Sequence, residues 1–136
     1  MGEVRVAVRL TNAVDEDLAR RGMLAPDQVR TYETEALVDT GATRTVVPRH
    51  VVQRLGLAVL SELTVQYADG RPEVVGVTGP LVVEIQGRRA GDEALVTGDE
   101  VLIGQTVLEK MDWVVDCNGQ RLIQNPRHPN GPLNRV

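Results

Sequence analysis

The 136-residue sequence has no phenylalanine, one tryptophan, two tyrosines and one cysteine. At 2% aromatic content, the stacking platforms that hold single-stranded nucleic acid are missing. One cysteine, Cys117, rules out an intramolecular disulfide and argues against a cysteine-based metal site. An excess of positive charge is missing too. The net charge is −4 and the arginines are scattered, so no basic footprint for a phosphate backbone is present. No apolar run approaches the roughly 20 residues of a membrane-spanning helix. The start, Met1-Gly2-Glu3-Val4-Arg5, does not read as a signal peptide. Val6 stands where a myristoylation signal needs Ser or Thr. The two histidines, His50 and His128, have no metal-ligand neighbours at a useful spacing. The expectation is a soluble protein of a reducing, cytoplasmic compartment, with no metal, no cofactor, and neither nucleic acid nor membrane as partner.

What is present is a globular composition, 42% hydrophobic and 25% charged, with a length that suits one domain over residues 1–136. Val4, Val6, Val8 and Leu10 alternate with Arg5, Ala7 and Arg9, the period of a half-buried strand. Residues 13–29 read as a surface insertion, with one or two helical turns at Asp15 to Arg21 stopped by Gly22 and another short helical piece opened by Pro26. Thr31 to Val38 is a second strand and Thr45-Val46-Val47 a short one. Pro48 opens a helix that puts Val51, Val52 and Leu55 on one face, and Gly56 stops it. Hairpins are expected around Asp69-Gly70, around Gly87-Arg88, and around Cys117-Asn118-Gly119-Gln120. Val74 to Val77 and Leu81 to Gln86 read as separate strands. Val101-Leu102-Ile103 suits a buried strand ended by Gly104, and Gln105 to Met111 a second helix. Residues 126–136 read as a loosely ordered tail. Many short strands with one or two short helices give an all-β, barrel-like domain.

Asp39-Thr40-Gly41 follows the apolar run Ala36-Leu37-Val38. A carboxylate delivered by a buried strand is costly unless it is paired or functional. Alone, the tripeptide reads as a turn capped by the Asp39 side chain, with Gly41 supplying a positive φ. The context says more. Ala36 to Thr43 resembles the active-site strand and loop of the retropepsin-like aspartic proteases: apolar residues, Asp, Thr or Ser, Gly, Ala, then Thr, Ser or Asp. The return strand and the helix ending at Leu55-Gly56-Leu57 match that order, as does Leu102-Ile103-Gly104, the apolar pair and glycine before a helix. The resemblance spans about residues 32–125 and is greatest to small bacterial single-domain members.

The resemblance implies a closed barrel of the retropepsin type, working as a two-fold homodimer that cuts polypeptides. Asp39 is then the catalytic carboxylate. Thr40, Gly41, Ala42 and Thr43 form the active-site loop and dimer support, Thr40 bonding across to the opposite loop and Gly41 offering its carbonyl to substrate. Ala68, Asp69 and Gly70 correspond to the flap tip, and Leu102, Ile103, Gly104 and Gln105 to the support beneath the loop. Only one Asp-Thr-Gly exists in the chain, so one chain holds half a site and a second copy supplies the other carboxylate. Viral members often pair Asp with Arg where this chain has Thr43 and Gln105, a neutral pair able to hydrogen-bond. Arg44 is unusual and falls at the rim of the implied cleft. The other reading is a homodimeric binding module that keeps the fold without appreciable cutting.

Overall fold

The computed structural model describes residues 3–132, in the order β1 (Val4–Asn12), α1 (Ala13–Arg20), a 3-10 turn (Pro26–Gln28), β2 (Thr31–Val38), β3 (Val46–Val47), α2 (Arg49–Leu55), β4 (Val59–Gln66), β5 (Pro72–Ile85), β6 (Arg88–Val96), β7 (Leu102–Ile103), α3 (Gln105–Met111), β8 (Trp113–Asp116) and β9 (Arg121–Gln124). Six strands close a mixed barrel in the order β1-β2-β7-β3-β6-β5, with β1 pairing back onto β5. Strand β4 extends this sheet beyond β5, and β8–β9 is a separate two-stranded ribbon. The pairs β2–β7 and β3–β6 are parallel and the other pairings antiparallel. Closure removes the exposed edges that a short-stranded sheet otherwise carries.

The alternation read in β1 is realised: Val4, Val6, Val8 and Leu10 are buried and Arg5, Ala7 and Arg9 exposed. Their apolar face meets Ala36 from β2, Leu81, Val83 and Ile85 from β5, and Ala94 from β6. Helices α2 and α3 plug the core with Val51, Leu55, Val107, Leu108 and Met111. At about 25 cal/mol per Å2 of apolar surface, these side chains are the main source of stability.

The chain departs from expectation in several places. Among the described residues there are three α-helices rather than one or two, because the helical turns read at Asp15 to Arg21 form a full eight-residue helix, α1, capped by the Asn12 side chain accepting from the Asp15 amide at 3.0 Å. Pro48 is the residue before α2 rather than its first. The stretches Val74–Val77 and Leu81–Gln86 join in one 14-residue strand, β5. A bulge between Val77 and Pro80 absorbs Gly79-Pro80, and there the Ala94 amide donates to the Thr78 hydroxyl at 3.0 Å instead of to a strand carbonyl. A bulge is where a strand tolerates proline, so two breakers in sequence do not break the strand. The β5–β6 turn centres on Gln86-Gly87, not Gly87-Arg88: both have positive φ and Arg88 already pairs with Ile85. The β8–β9 loop takes the four residues Cys117 to Gln120, as expected, and its left-handed residue is Gln120.

Residues 13–30 are tied down. Arg30 donates to the buried Asp15 carboxylate through Nε at 2.8 Å and Nη2 at 3.0 Å, and its backbone amide adds a bond at 3.1 Å. This holds the Asp15 pKa below the ordinary carboxylate range, with the Arg30 side-chain bonds as the main cause and burial opposing them. Asn12 Nδ2 donates to the Leu55 carbonyl at 2.8 Å, joining β1 to the end of α2. The segment read as a loose tail is also anchored at its start. Asp112 accepts from Asn125 Nδ2 at 3.0 Å and faces His128 Nδ1 at 2.7 Å. The rest of that expectation, residues 133–136, falls outside the described residues.

Candidate active site

β7 lies between β2 and β3, parallel to the first and antiparallel to the second. The chain leaving β2 must therefore pass over the end of β7 to reach β3, and residues 39–45 make that crossing. Leu37 and Asp39 donate their amides to the Val101 and Ile103 carbonyls at 3.0 and 2.9 Å, so the β2–β7 ladder runs up to Asp39 itself. The turn then closes as the Ala42 amide donates to the Asp39 carbonyl at 3.1 Å.

The Asp39 side chain is exposed, and its Oδ1 accepts from the Gly41 amide at 2.9 Å. The expected capped turn is thus present, but Gly41 does not adopt a positive φ. Its need is steric: a Cβ there would stand 3.2 Å from Asp39 Oδ1 and crowd the carboxylate. Thr40, Gly41 and Thr43 are exposed alongside Asp39, and Ala42 is half-buried.

From below, the loop is held by backbone. Gln105 and Thr106, at the start of α3, donate their amides to the Ala42 and Thr43 carbonyls at 2.8 and 3.1 Å. These are two of the amides that a helix N-terminus leaves without internal partners, so loop and helix satisfy each other. Gly104, buried between them, has no room for a side chain. An added Cβ would lie 2.7 Å from the Arg44 oxygen and 2.8 Å from the Ala42 oxygen. Past the crossing, Thr45 donates through Oγ1 to Asp92 Oδ2 at 2.7 Å and accepts the Leu95 amide at 2.9 Å, which seats β3 on β6.

Leu102, Ile103, Gly104 and Gln105 therefore lie directly beneath the Asp39 loop. The side-chain pairing expected between Thr43 and Gln105 is not made. Gln105 Nε2 donates instead to Glu109 at 3.2 Å, one helical turn on, and backbone bonds do the joining.

β4 and β5 form the hairpin read as a flap, with a tip over Tyr67–Arg71. The Gly70 amide donates to the Tyr67 carbonyl at 2.8 Å, Gly70 has φ +84°, and the Asp69 carboxylate accepts the Arg71 amide at 3.0 Å. Ala68, Asp69 and Gly70 are exposed. Leu63, Val65 and Tyr67 sit on one face of the hairpin and face Ala42, Arg44 and Val46 across a groove of about 420 Å3. Tyr67 donates its hydroxyl to Glu73 at 2.6 Å and lies 3.4 Å from the Thr97 hydroxyl, linking the flap to the end of β6. The sequence reading did not single out Tyr67 or Thr97. The alternation Leu63, Val65, Tyr67 was the available signal for the first, whereas Thr97 meets it only through the fold. A larger groove, about 690 Å3, runs between α2 and the flap strands; Asp39 lines neither groove, and the smaller one reaches the loop at Ala42, Thr43 and Arg44.

The two histidines and Asp116 make no bond to the loop. His50 is exposed on α2 and His128 faces Asp112. Asp116 accepts the Gly119 amide and Arg121, which hold its pKa down in that order. Among the described residues no group of three or more His, Cys, Asp or Glu side chains is placed to hold a metal ion, and no helix is long and apolar enough to cross a membrane.

A family model described as "gag-polyprotein putative aspartyl protease" matches residues 26–110, which takes in β2, the Asp39 loop, the flap hairpin, β7 and most of α3. No curated protein matches the chain. With the match covering more than half of the sequence, and with a barrel that carries Asp-Thr-Gly over an apolar-pair-glycine support, the chain belongs to the retropepsin-like aspartic protease family.

Proposed function

We propose that the chain is an aspartic endopeptidase that works as a homodimer and hydrolyses polypeptides with one Asp39 from each copy. The observation that carries this reading is the exposed Asp39 carboxylate, fixed by backbone on a rigid loop beside a groove roofed by a hairpin. A lone carboxylate can act as base or as acid but not as both at once. Two brought within roughly 3 Å cannot both ionise, so they share a proton, as in aspartic proteases generally.

In the proposed reaction the ionised carboxylate takes a proton from water as the water oxygen attacks the substrate carbonyl carbon. The protonated carboxyl donates to the carbonyl oxygen. Collapse of the tetrahedral species returns that proton to the dyad, breaks the C–N bond and delivers a proton to the leaving nitrogen. Gly41 offers its carbonyl to the substrate backbone, Ala42 leaves room for it, and Thr40 bonds to the partner copy's loop. The flap tip, Ala68 to Gly70, covers the bound chain.

The dimer contact falls mainly to the Asp39 loops and to the β8–β9 ribbon. β1 is paired with β2 along Val4–Thr11 and with β5 along Arg9–Asn12 within one copy. The experiment is cleavage of a diverse peptide library, at acid and at neutral pH, by the wild type and by Asp39→Asn. Cleavage by the wild type and none by a folded Asp39→Asn is expected. No cleavage by the wild type, or equal cleavage by both, refutes the reading.

A further inference from the structure

The groove beside the Asp39 loop has an apolar body and one charged side chain. Val46 and Leu95 form one wall, and Leu63, Val65 and Tyr67 the roof. Arg44 is the single charged residue among those lining it, and it is exposed. Most other arginines are occupied: Arg5, Arg9, Arg30, Arg71 and Arg89 face carboxylates, and Arg54 and Arg88 lie over aromatic rings, whereas Arg49, the other arginine without such a partner near the flap, lines the separate groove beside α2. Arg44 has neither kind of partner among the described residues.

The nearby acids are committed elsewhere. Asp92 accepts the amide and hydroxyl of Thr45 and the amide of Glu93. Glu73 accepts the Tyr67 hydroxyl, and Asp69 pairs with Arg71 at 3.4 Å. The groove thus presents an uncompensated guanidinium, a group that binds carboxylates in a two-pronged geometry.

We propose that Arg44 is a specificity-determining residue: the groove takes an aliphatic side chain of an extended polypeptide, and Arg44 selects an acidic residue within two positions of it. This rests on the peptidase reading for its substrate class. Side chains of an extended chain alternate in direction. An aliphatic residue directed into the groove therefore leaves a near neighbour at its rim, within reach of a long arginine.

The contact is solvent-exposed, so its contribution is modest. Removing it costs a few-fold, and reversing the charge shifts the preference by about tenfold, because attraction is replaced by repulsion. Rising salt narrows the difference.

The test compares the wild type, Arg44→Gln and Arg44→Glu in two readouts. One is the cleavage profile of a random peptide library. The other is the enrichment of library peptides bound by each of the three chains carrying Asp39→Asn in addition, which needs no catalysis. Expected are acidic residues flanking an aliphatic one in the wild type, weaker enrichment in Arg44→Gln, and a shift toward Lys and Arg in Arg44→Glu. Cleavage with the same flanking preference in all three overturns the role of Arg44 and leaves the peptidase reading standing. Acid-enriched binding that Arg44→Glu reverses, without cleavage by the wild type, supports Arg44 and overturns the peptidase reading. Absence of both binding and cleavage overturns both.

Discussion

Gly104→Ala is the substitution that most sharply probes how the site is built. Its Cβ would stand 2.7 Å from the Arg44 oxygen, 2.8 Å from the Arg44 carbonyl carbon and 2.8 Å from the Ala42 oxygen. All three are backbone atoms, so no side chain can swing aside. To reach ordinary contact the crossing loop must lift by about half an ångström, an overpacking cost of about 1–3 kcal/mol. The lift also stretches the Gln105-to-Ala42 and Thr106-to-Thr43 bonds, each with a net value of about 1 kcal/mol. A total loss of about 2–4 kcal/mol is expected, or a drop in melting temperature of about 10 °C. The control is Gly91→Ala, in β6, where the nearest atom to the new Cβ is the Leu81 oxygen at 3.9 Å. There the effect should lie within about 1 kcal/mol of zero. Urea unfolding at one fixed protein concentration, with slopes compared between variants, measures both. Peptide cleavage should fall further than stability does, since the lifted loop carries Asp39. An unfolding midpoint for Gly104→Ala equal to that of Gly91→Ala would refute the close crossing of loop and support.

Two further perturbations reach other parts of the molecule. Asp15 has a lowered folded-state pKa, so its ion pair with Arg30 contributes stability that is present above the unfolded-state pKa and is lost as pH falls through the folded one. Asp15→Asn should therefore destabilise by about 1–2 kcal/mol at pH 7, the low side of a buried pair because Arg30 is half exposed, and the deficit should shrink from about pH 4 downward. A deficit unchanged at pH 2.5 in denaturant titrations contradicts this. At the flap, the amides of residues 68–70 should exchange with deuterium faster than those of Val82 and Val83, which lie in the barrel between β1 and β6. Tyr67→Phe, which removes the tie to Glu73 and Thr97, should speed tip exchange further, and equal protection at both places would count against a mobile tip.

Sequence carried the elements whose information is local. The alternation of β1, the apolar run into Asp39, the Gly56 stop and the glycine after Leu102-Ile103 each reflect one strand, turn or helix end, and each appears in the fold where its residues place it. What it did not carry depends on residues far apart in the chain. Gly79-Pro80 reads as a break, yet a bulge opposite β6 keeps β5 continuous through it. Asp15 falls in a stretch that reads as a surface insertion, and its pairing with Arg30, 15 residues on, comes only with the fold. Thr43 and Gln105 read as a pair by analogy with an ion pair, but the Gln105 side-chain amide donates to Glu109, four residues along α3. Gly41 was assigned a backbone role, and its actual constraint is the space beside the Asp39 carboxylate.

The central claim is that two chains share one site, and subunit mixing tests it directly. Wild type and Asp39→Asn are combined in varying ratio at constant total concentration, well above the dimer dissociation constant found by sedimentation, and peptide cleavage is followed after exchange is complete. A shared dyad predicts activity that follows the square of the wild-type fraction, about one quarter at equal amounts, because only wild-type pairs hold two carboxylates. Activity that falls in simple proportion to the wild-type fraction, about one half at equal amounts, would contradict a site made from two copies of Asp39.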